Sequence, residues 1–261
     1  MPELRLGKLP ATEDERDLLF ARYVKPEELP APPAQFGHET LVGAKAWGML
    51  GNDDWGDCAW AGPAHETMLL TIEGGHPAEF TTEDVLSDYS AGTGFDESAG
   101  PPGKNPTDKG SNVRDVLNYR RKTGIVDAAG TRHTIEAYVK LDRTNLVEVY
   151  QALYLFQVVG MGLAFPQSAM EQFNAGEPWD VVPGSEILGG HYVPLVAKRS
   201  DIDVVTWGAL QQMTERFFQA YCDEAWAYVS GENLQAGKDP EGFDLTQLRA
   251  DLAELSSGAG S

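Results

Sequence analysis

A change of pattern near residue 130 constrains the fold of this chain more than any other feature of its sequence. Before that point, three segments have helical character: residues 58–72, 81–92 and 112–123. After it, residues 135–141 alternate as in a strand and a helix is predicted over residues 145–156. Short apolar runs typical of strands follow: "VVGMGLAF", "HYVPLVAK" and "DVVTWG". A helical half followed by a strand-rich half predicts an α+β protein of two lobes with a cleft between them.

The predicted domain boundaries follow from this pattern. Residues 1–38 are punctuated by prolines and form an extended N-terminal arm, lying over the body or loosely attached to it. One domain covers residues 39–256, divided into a helical lobe at about 39–130, a β-rich lobe at about 131–232 and a C-terminal helix at about 244–255. Residues 257–261 are predicted to be a flexible tail.

Composition excludes several classes of function. The chain has 40 acidic and 20 basic residues, a formal net charge of -20, with the acids spread along its length. Nucleic-acid binding is disfavoured because a phosphate-binding face needs clustered Lys and Arg. The N-terminus has no apolar signal segment and no later segment approaches the length of a membrane span, so we expect a cytoplasmic protein without a membrane partner. Two cysteines in neither a CxxC nor a Cys/His ligand spacing predict no metal and no other cofactor.

One cysteine lies in a stretch suited to nucleophilic chemistry, "GNDDWGDCAWAG". If Cys58 is in the first turn of a helix, the unpaired N–H groups and the helix dipole stabilise its thiolate, and the small Gly56 lets a substrate carbonyl approach. Asp57 and the acids before it oppose this effect, since negative charge raises a thiol pKa. The alternative is a buried structural thiol, as we predict for Cys222 in the apolar segment "ERFFQAYCDEAW", which we read as a helix.

A thiol nucleophile needs a base and an oxyanion donor. His191 is the best of the five histidines, because it begins an apolar strand directly after Gly190, where backbone can pass close to another lobe. His65 and His133 are more typical of structural histidines. Asn52, on the loop before Cys58, could converge with the Cys58 backbone N–H on one oxygen.

These residues together resemble the papain-like cysteine peptidases. The family's oxyanion residue and Gly-Ser-Cys motif, its catalytic His strand and its Asn-Ser-Trp-Gly correspond here to "NDDWGDCAW", "GGHYVPLVAK" and "VVTWG", in the same order. The resemblance implies a two-lobe fold, Cys58 as nucleophile, His191 as base, Asn52 as oxyanion donor and Trp207 as the tryptophan that shields the histidine. The family's third triad residue, Asn, aligns with Val205, which accepts no hydrogen bond.

Thr206 is the neighbouring candidate for orienting the imidazole. Strand alternation is expected to turn its side chain to the opposite face from Val205. The third position of the triad is therefore open at the level of sequence.

The chain as a whole looks most like papain-like proteins of bacterial viruses and actinobacteria. The stretches that carry this likeness include "GNDDWGDCAWAGPAH", "GTGFD", "DKGSNVRDVLNYRRKTGI" and "GFDLTQLRADLAEL". Two functions from different classes follow. The first is a cysteine hydrolase acting on a peptide or other amide substrate. The second is a weakly active or inactive papain-fold protein used for its surface in a bacteriophage particle, with the arm wrapped around a particle protein or a second copy of the chain.

Overall fold

The computed structural model describes residues 4–24, 29, 31–43, 47–234, 246, 247 and 250. The helices and strands are, in chain order, β1 (Phe36–Gly37), α1 (Cys58–Glu73), α2 (Thr82–Thr93), α3 (Val113–Lys122), β2 (Ile125–Val126), β3 (Arg132–His133), β4 (Ile135–Lys140), α4 (Leu146–Phe156), β5 (Val159–Pro166), α5 (Gln167–Ala175), β6 (Ile187–Lys198), β7 (Ile202–Thr206), β8 (Ala209–Met213), α6 (Glu215–Tyr221), β9 (Cys222–Ser230) and α7 (Gly231–Leu234). The first half is thus helical and the second half strand-rich, as the pattern predicts.

Helix α1 is the central element of the helical lobe. Its residues are buried from Cys58 to Thr71, and it packs against α2, α3 and the sheet strand β6. A helix without a polar face is typical of the interior of a protein, which explains why its hydrophobic residues show little periodicity. Two hydroxyl groups make hydrogen bonds within the helix: Thr67 Oγ1 donates to the Pro63 carbonyl, and Thr71 Oγ1 donates to the Thr67 carbonyl.

Local capping signals determine where the next two helices begin. Thr81 and Asp84 form a reciprocal capping box at the start of α2, and Gly94 ends that helix in the left-handed conformation. The Asn112 side chain accepts a hydrogen bond from the Arg114 backbone N–H at the start of α3.

The β-rich lobe is built on one antiparallel sheet. Six strands lie in the order β4-β9-β5-β6-β7-β8, and β1 pairs with β6 to make seven strands. Helices α4, α5 and α6 pack against this sheet. Because β6 pairs with β5 and β7, it occupies the middle of the sheet, and its buried run from His191 to Ala197 has the continuous apolar character that such a position requires.

Two hydrophobic cores lie on opposite faces of the sheet. On β7, Val204 packs into the core of the β-rich lobe and Val205 into the core shared with α1 and the helical lobe. On β6, Val193 packs into the core of the β-rich lobe and Tyr192 into the core shared with the helical lobe. The alternation of side chains along a strand therefore decides which of the two cores each residue joins.

The predicted N-terminal arm lies across both lobes. Phe20 is fully buried and Tyr23 is 1% exposed, and both belong to the core of the β-rich lobe. Farther along, Phe36 and Gly37 add the strand β1 to the sheet at Lys198 and Ala197. These contacts tie the described part of the segment firmly to the body.

Two predictions near the C-terminus have different outcomes. Cys222 is 3% exposed and belongs to the core, but the predicted helix ends at Tyr221, so Cys222 is the first residue of strand β9. The helix predicted at about 244–255 and the tail at 257–261 lie outside the described residues, except for positions 246, 247 and 250. None of the helices in the described part of the chain combines the length and apolar character needed to cross a bilayer.

Candidate active site

Cys58 is the first residue of α1 and faces the β-rich lobe. Its side chain is 1% exposed, and its Sγ accepts a hydrogen bond of 3.4 Å from the backbone N–H of Tyr192. The thiol therefore lies beside the backbone of β6, one residue after His191. The position at the helix start also leaves the Cys58 N–H among the helix's unpaired donors. The backbone next to His191 is thus brought to Cys58 in the cleft between the lobes, while the His191 Nδ1 is not within hydrogen-bond reach of the Cys58 sulfur.

His191 is held by two contacts from the hairpin that joins β7 and β8. Its Nε2 lies 2.7 Å from Thr206 Oγ1, and its ring stacks on Trp207 with centroids 4.4 Å apart and planes 18° from parallel. Trp207 and Gly208 both have positive φ, 46° and 71°, as the two central residues of a type I′ turn require. This turn places the indole over the imidazole, and Trp207 is where the resemblance to the papain-like peptidases places a shielding tryptophan.

Thr206, not Val205, contacts the imidazole. Side-chain alternation along β6 and β7 puts His191 on the same face of the sheet as Val193, and Thr206 on the same face as Val204. Val205 points to the opposite core. Alternation does turn the Thr206 side chain away from that of Val205, as expected. The face of the sheet to which Thr206 turns is the face on which His191 lies. The group beside His191 Nε2 is therefore the hydroxyl of Thr206, one residue after the position that the sequence pattern aligns with the family's Asn.

The Thr206 contact leaves the other ring nitrogen as the candidate base. When Nε2 carries the proton and donates to Thr206 Oγ1, Nδ1 has the free lone pair. His191 Nδ1 is buried and has no hydrogen-bond partner among the described residues.

The thiol and the imidazole are both uncharged in this structure. Burial lowers the pKa of His191 to about 3. Burial also raises the pKa of Cys58 to about 11, and the backbone N–H groups of Tyr192 and Gly7, which face the sulfur, offset only part of this effect. These shifts favour the neutral thiol and the neutral imidazole over a thiolate–imidazolium ion pair.

Asn52 and Asp57 lie on the loop before the nucleophile. Asn52 is buried, and its Nδ2 donates a 3.0 Å hydrogen bond to the Trp55 carbonyl. Burial raises the pKa of Asp57 well above its ordinary value, and the nearby Asn52 amide offsets part of that rise. Asp57 is fully buried, beside the buried Cys58. In this structure the Asn52 amide is directed into its own loop.

The N-terminal arm runs through the cleft directly over the thiol. Its residues bond to both walls: Ser111 N–H donates to the Gly7 carbonyl at 2.8 Å, and Lys8 N–H donates to the Gly190 carbonyl at 3.0 Å. Trp207 Nε1 donates to the Arg5 carbonyl at 3.3 Å. Cys58 and His191 are therefore covered by main chain of the same molecule.

Glycines on both walls allow the arm to come this close. A Cβ built at Gly7 would lie 1.8 Å from the Gly56 carbonyl oxygen, and one at Gly110 would lie 2.0 Å from the Gly7 carbonyl oxygen. A Cβ at Gly190 would lie 2.2 Å from the carbonyl oxygen of Lys8. Gly56 and Gly190, expected from the sequence to admit a substrate or another lobe, admit the arm instead.

Other conspicuous residues of the sequence have structural positions. His65 Nε2 lies 3.0 Å from each of the Trp47 and Gly48 carbonyl oxygens, and burial lowers its pKa to about 4. His133 contacts Asp127 and Glu232 on the far side of α1. The three tryptophans near the thiol, which the sequence did not assign, are buried in the helical-lobe core: Trp47, Trp55 and Trp60.

Comparison with known proteins identifies the fold. No family model matches the sequence, and no curated protein matches it. Xylellain, a cysteine protease from Xylella fastidiosa, superposes with a TM-score of 0.66 at 14% identity, over 87% of this chain and 96% of that chain. Procathepsin B from Trypanosoma congolense superposes with a TM-score of 0.58 at 11% identity, over 86% of each chain.

A third solved structure extends the comparison. A cysteine protease of Carica candamarcensis in complex with E-64 superposes with a TM-score of 0.53 at 12% identity, over 76% of this chain and 98% of that chain. At such identities the likeness concerns the fold alone. The chain has the papain-like two-lobe α+β fold, and the fold class predicted from the sequence is confirmed.

Proposed function

We propose that this protein is a papain-like cysteine hydrolase, a peptidase or amidase, that the N-terminal arm keeps in a resting state. One observation carries the proposal. Cys58 begins a buried helix with its sulfur against the strand residue that follows His191, whose Nε2 is held by Thr206. This arrangement supports the proposal, because acyl transfer needs a thiol, a base and a group that orients the base near one another.

The proposed reaction follows from these roles. With the arm displaced, His191 Nδ1 takes the proton of Cys58, and the thiolate attacks the carbonyl carbon of an amide. The Cys58 backbone N–H holds the oxyanion, together with Asn52 once its amide turns away from the Trp55 carbonyl. His191 then protonates the leaving amine, and an acyl-enzyme remains. Water, deprotonated by His191, releases the acid and restores the thiol.

The resting state explains how such a site can be present and yet unreactive. The arm keeps water and substrate away from the sulfur, and the low-dielectric surroundings favour the neutral thiol and imidazole. Displacing the arm would rehydrate both groups. The charged thiolate–imidazolium pair would then become accessible, because desolvation is the largest cause of both pKa shifts.

Thiol labelling tests this proposal on the full-length chain. Iodoacetamide and an E-64-type epoxide are applied across pH 5 to 9, and the modified cysteine is identified by mass spectrometry, with Cys58→Ala and His191→Ala as variants. We expect slow modification of Cys58 in the wild type. We expect faster modification, dependent on His191, when the arm is loosened by Lys8→Met. If Cys58 in the loosened chain reacts no faster than a free thiol and is indifferent to His191, the hydrolase assignment fails.

A second candidate function is favoured by the same covered cleft. A buried thiol with a pKa of about 11 and an orienting residue, Thr206, that departs from the papain-like pattern are compatible with a fold retained for its surface. The likeness of the sequence to papain-like proteins of bacterial viruses suggests a particle component, whereas the hydrolase would act in the cytoplasm. Association of the chain with purified virus particles, together with an unreactive Cys58 in the Lys8→Met variant, would support this second candidate over the first.

A further inference from the structure

Lys8 occupies a pocket built for a cation. Its side chain is fully buried, and its Nζ lies 2.9 Å from Asp223 Oδ2, 3.1 Å from Glu224 Oε1 and 3.1 Å from the Leu9 carbonyl oxygen. Removing an ammonium from water costs several kcal/mol unless anions and acceptors replace the water. Two carboxylates from strand β9 supply that replacement.

The carboxylates of Asp223 and Glu224 together have more negative charge than the single positive charge of Lys8 neutralises. Glu224 is 4% exposed, and among the described residues the Lys8 ammonium is the cation that lies within ion-pair distance of its carboxylate. Glu224 Oε2 already accepts a 2.9 Å hydrogen bond from Trp226 Nε1, which holds the side chain in place. Without Lys8, a rigid and nearly buried carboxylate would face an unfilled pocket, and a buried unpaired charge is strongly unfavourable.

The walls of the pocket fit a long, unbranched side chain. A Cβ at Gly162 of β5 would lie 2.0 Å from Lys8 Cε, so the absence of a side chain there makes room for the aliphatic stem. Asp223 and Glu224 also line a cavity of about 490 Å³, whose other lining residues include Lys140, Asp142 and Arg143. A guanidinium pairs with carboxylates as an ammonium does, so the two carboxylates suit arginine as well as lysine.

The pocket lies next to the reactive centre. Lys8 N–H is bonded to the Gly190 carbonyl, the residue before His191, while the preceding residue of the arm, Gly7, faces the Cys58 sulfur. An extended peptide crossing the cleft with one residue over the sulfur therefore presents the neighbouring side chain to the two carboxylates.

We propose that the pocket formed by Gly162, Asp223 and Glu224 is a substrate subsite that selects a lysine or arginine side chain, and that Lys8 of the arm occupies it in the resting state. This proposal rests on the proposed hydrolase function for its biological meaning. The binding it predicts can be measured without any chemistry at Cys58.

The test uses the full-length chain carrying Lys8→Met, to free the pocket, and Cys58→Ala, to prevent reaction. Fluorescent peptides with the sequence of residues 4–12 are titrated by anisotropy, with lysine, arginine or norleucine at the position of Lys8. We expect the lysine and arginine peptides to bind at least about tenfold more tightly than the norleucine peptide, because only they pair with the carboxylates. Adding Glu224→Gln or Asp223→Asn should reduce that preference to less than about threefold.

Three controls separate recognition by the pocket from general charge attraction and from misfolding. A peptide in which lysine exchanges places with the following leucine has the same charge, and we expect it to bind like the norleucine peptide, which excludes general attraction to an acidic protein. Glu13→Gln removes a carboxylate that lines the same cavity but pairs with Lys140, and should leave the preference intact. The melting temperature of each variant shows whether it is folded, and Asp223→Asn, on a residue whose side chain is 32% exposed, serves if Glu224→Gln does not fold.

The outcomes separate this proposal from the proposed function. Equal binding of the lysine and norleucine peptides overturns the subsite, and so does binding of neither. A clear preference for lysine in a protein whose Cys58 proves unreactive would retain the subsite and remove the hydrolase. A reactive Cys58 without a preference for lysine would retain the hydrolase and remove the subsite.

Discussion

Two buried ion pairs, Glu66–Arg120 and Lys8 with Asp223 and Glu224, differ in the parts of the molecule that they join. Glu66 of α1 and Arg120 of α3 are 0% and 1% exposed, with Arg120 Nη1 2.7 Å from Glu66 Oε2. Tyr192 of β6 donates to the same carboxylate, and the guanidinium lies 4.5 Å from the ring centroid of Tyr228. This pair connects the helical lobe to the sheet through fixed elements on all sides.

The second pair connects strand β9 of the sheet to the N-terminal arm. Lys8 contributes a fully buried side chain, but one of its partners, Asp223, has a side chain that is 32% exposed. Apart from this pair, the arm near the thiol makes backbone hydrogen bonds to the loop residues Asn52 and Ser111 and to Gly190 of β6. We call the Glu66–Arg120 pair the lock, because both partners belong to helices packed against the sheet, and the Lys8 pair the latch, because it holds the arm over the cleft.

The lock should be the costlier pair to break. In Arg120→Met, the buried carboxylate of Glu66 loses its cation, and we expect the free energy of unfolding to fall by about 3 to 5 kcal/mol in urea titrations. The double variant Glu66→Leu/Arg120→Met should recover much of that loss, because no unpaired charge remains. A loss below about 1 kcal/mol in the single variant would show that this pair is not a lock.

The latch should affect reactivity more than stability. We expect Lys8→Met to lower the free energy of unfolding by about 2 to 3 kcal/mol, since two carboxylates lose a cation but one of them stays partly hydrated. Labelling of Cys58 by iodoacetamide should accelerate by at least about tenfold, which corresponds to about 1.4 kcal/mol of easier opening. Lys104→Met, which removes the same charge from an exposed site, should change neither quantity. Equal labelling rates in the two variants would contradict a latch.

Acid should weaken the region under the latch through His191. Its folded pKa of about 3 lies below the ordinary value near 6.5, so between these values the unfolded chain binds a proton that the folded chain does not. The His191 contribution to stability is therefore complete above about pH 6.5 and decreases as the pH falls, by about 2 kcal/mol between pH 7 and pH 5.

The comparison with His191→Gln isolates this effect. Asp57, with its raised pKa, has the opposite sign and remains in both proteins, so it cancels in the difference between their urea unfolding free energies at pH 7 and pH 5. The wild type should lose more stability on acidification than the variant does. The same loss in both proteins would mean that His191 is protonated in the folded state at pH 5.

The smallest effect is expected from the orienting hydroxyl. Thr206→Val keeps the shape of the side chain but removes the partner of His191 Nε2, and should cost about 1 kcal/mol of stability. In the Lys8→Met background it should slow Cys58 labelling by about tenfold, whereas Thr206→Ser, which keeps the hydroxyl, should be close to Lys8→Met alone. Equal slowing by the two substitutions would indicate a packing role for Thr206.

Much of the fold and part of the site could be predicted from the sequence. Helical and strand periodicities placed most of the helices and strands, because each reflects a local pattern of burial. The prediction for the end of α6 is wrong. The apolar residues within 215–230 fit both a helical and a strand periodicity, and pairing with β4 and β5 decides where the strand begins. The order of motifs indicated Cys58, His191 and Trp207 as neighbours.

Local sequence specified the chemical groups and their immediate geometry: a cysteine at a helix start, a histidine at a strand, a Trp-Gly turn and the glycines around them. Tertiary packing determined which face of the sheet each strand residue occupies, and hence that Thr206 rather than Val205 reaches the imidazole. It also placed the N-terminal arm in the cleft and Lys8 between Asp223 and Glu224, some 215 positions away in sequence. Contacts between residues so far apart in sequence depend on how the two lobes and the N-terminal arm pack together. Local residue patterns do not predict that packing.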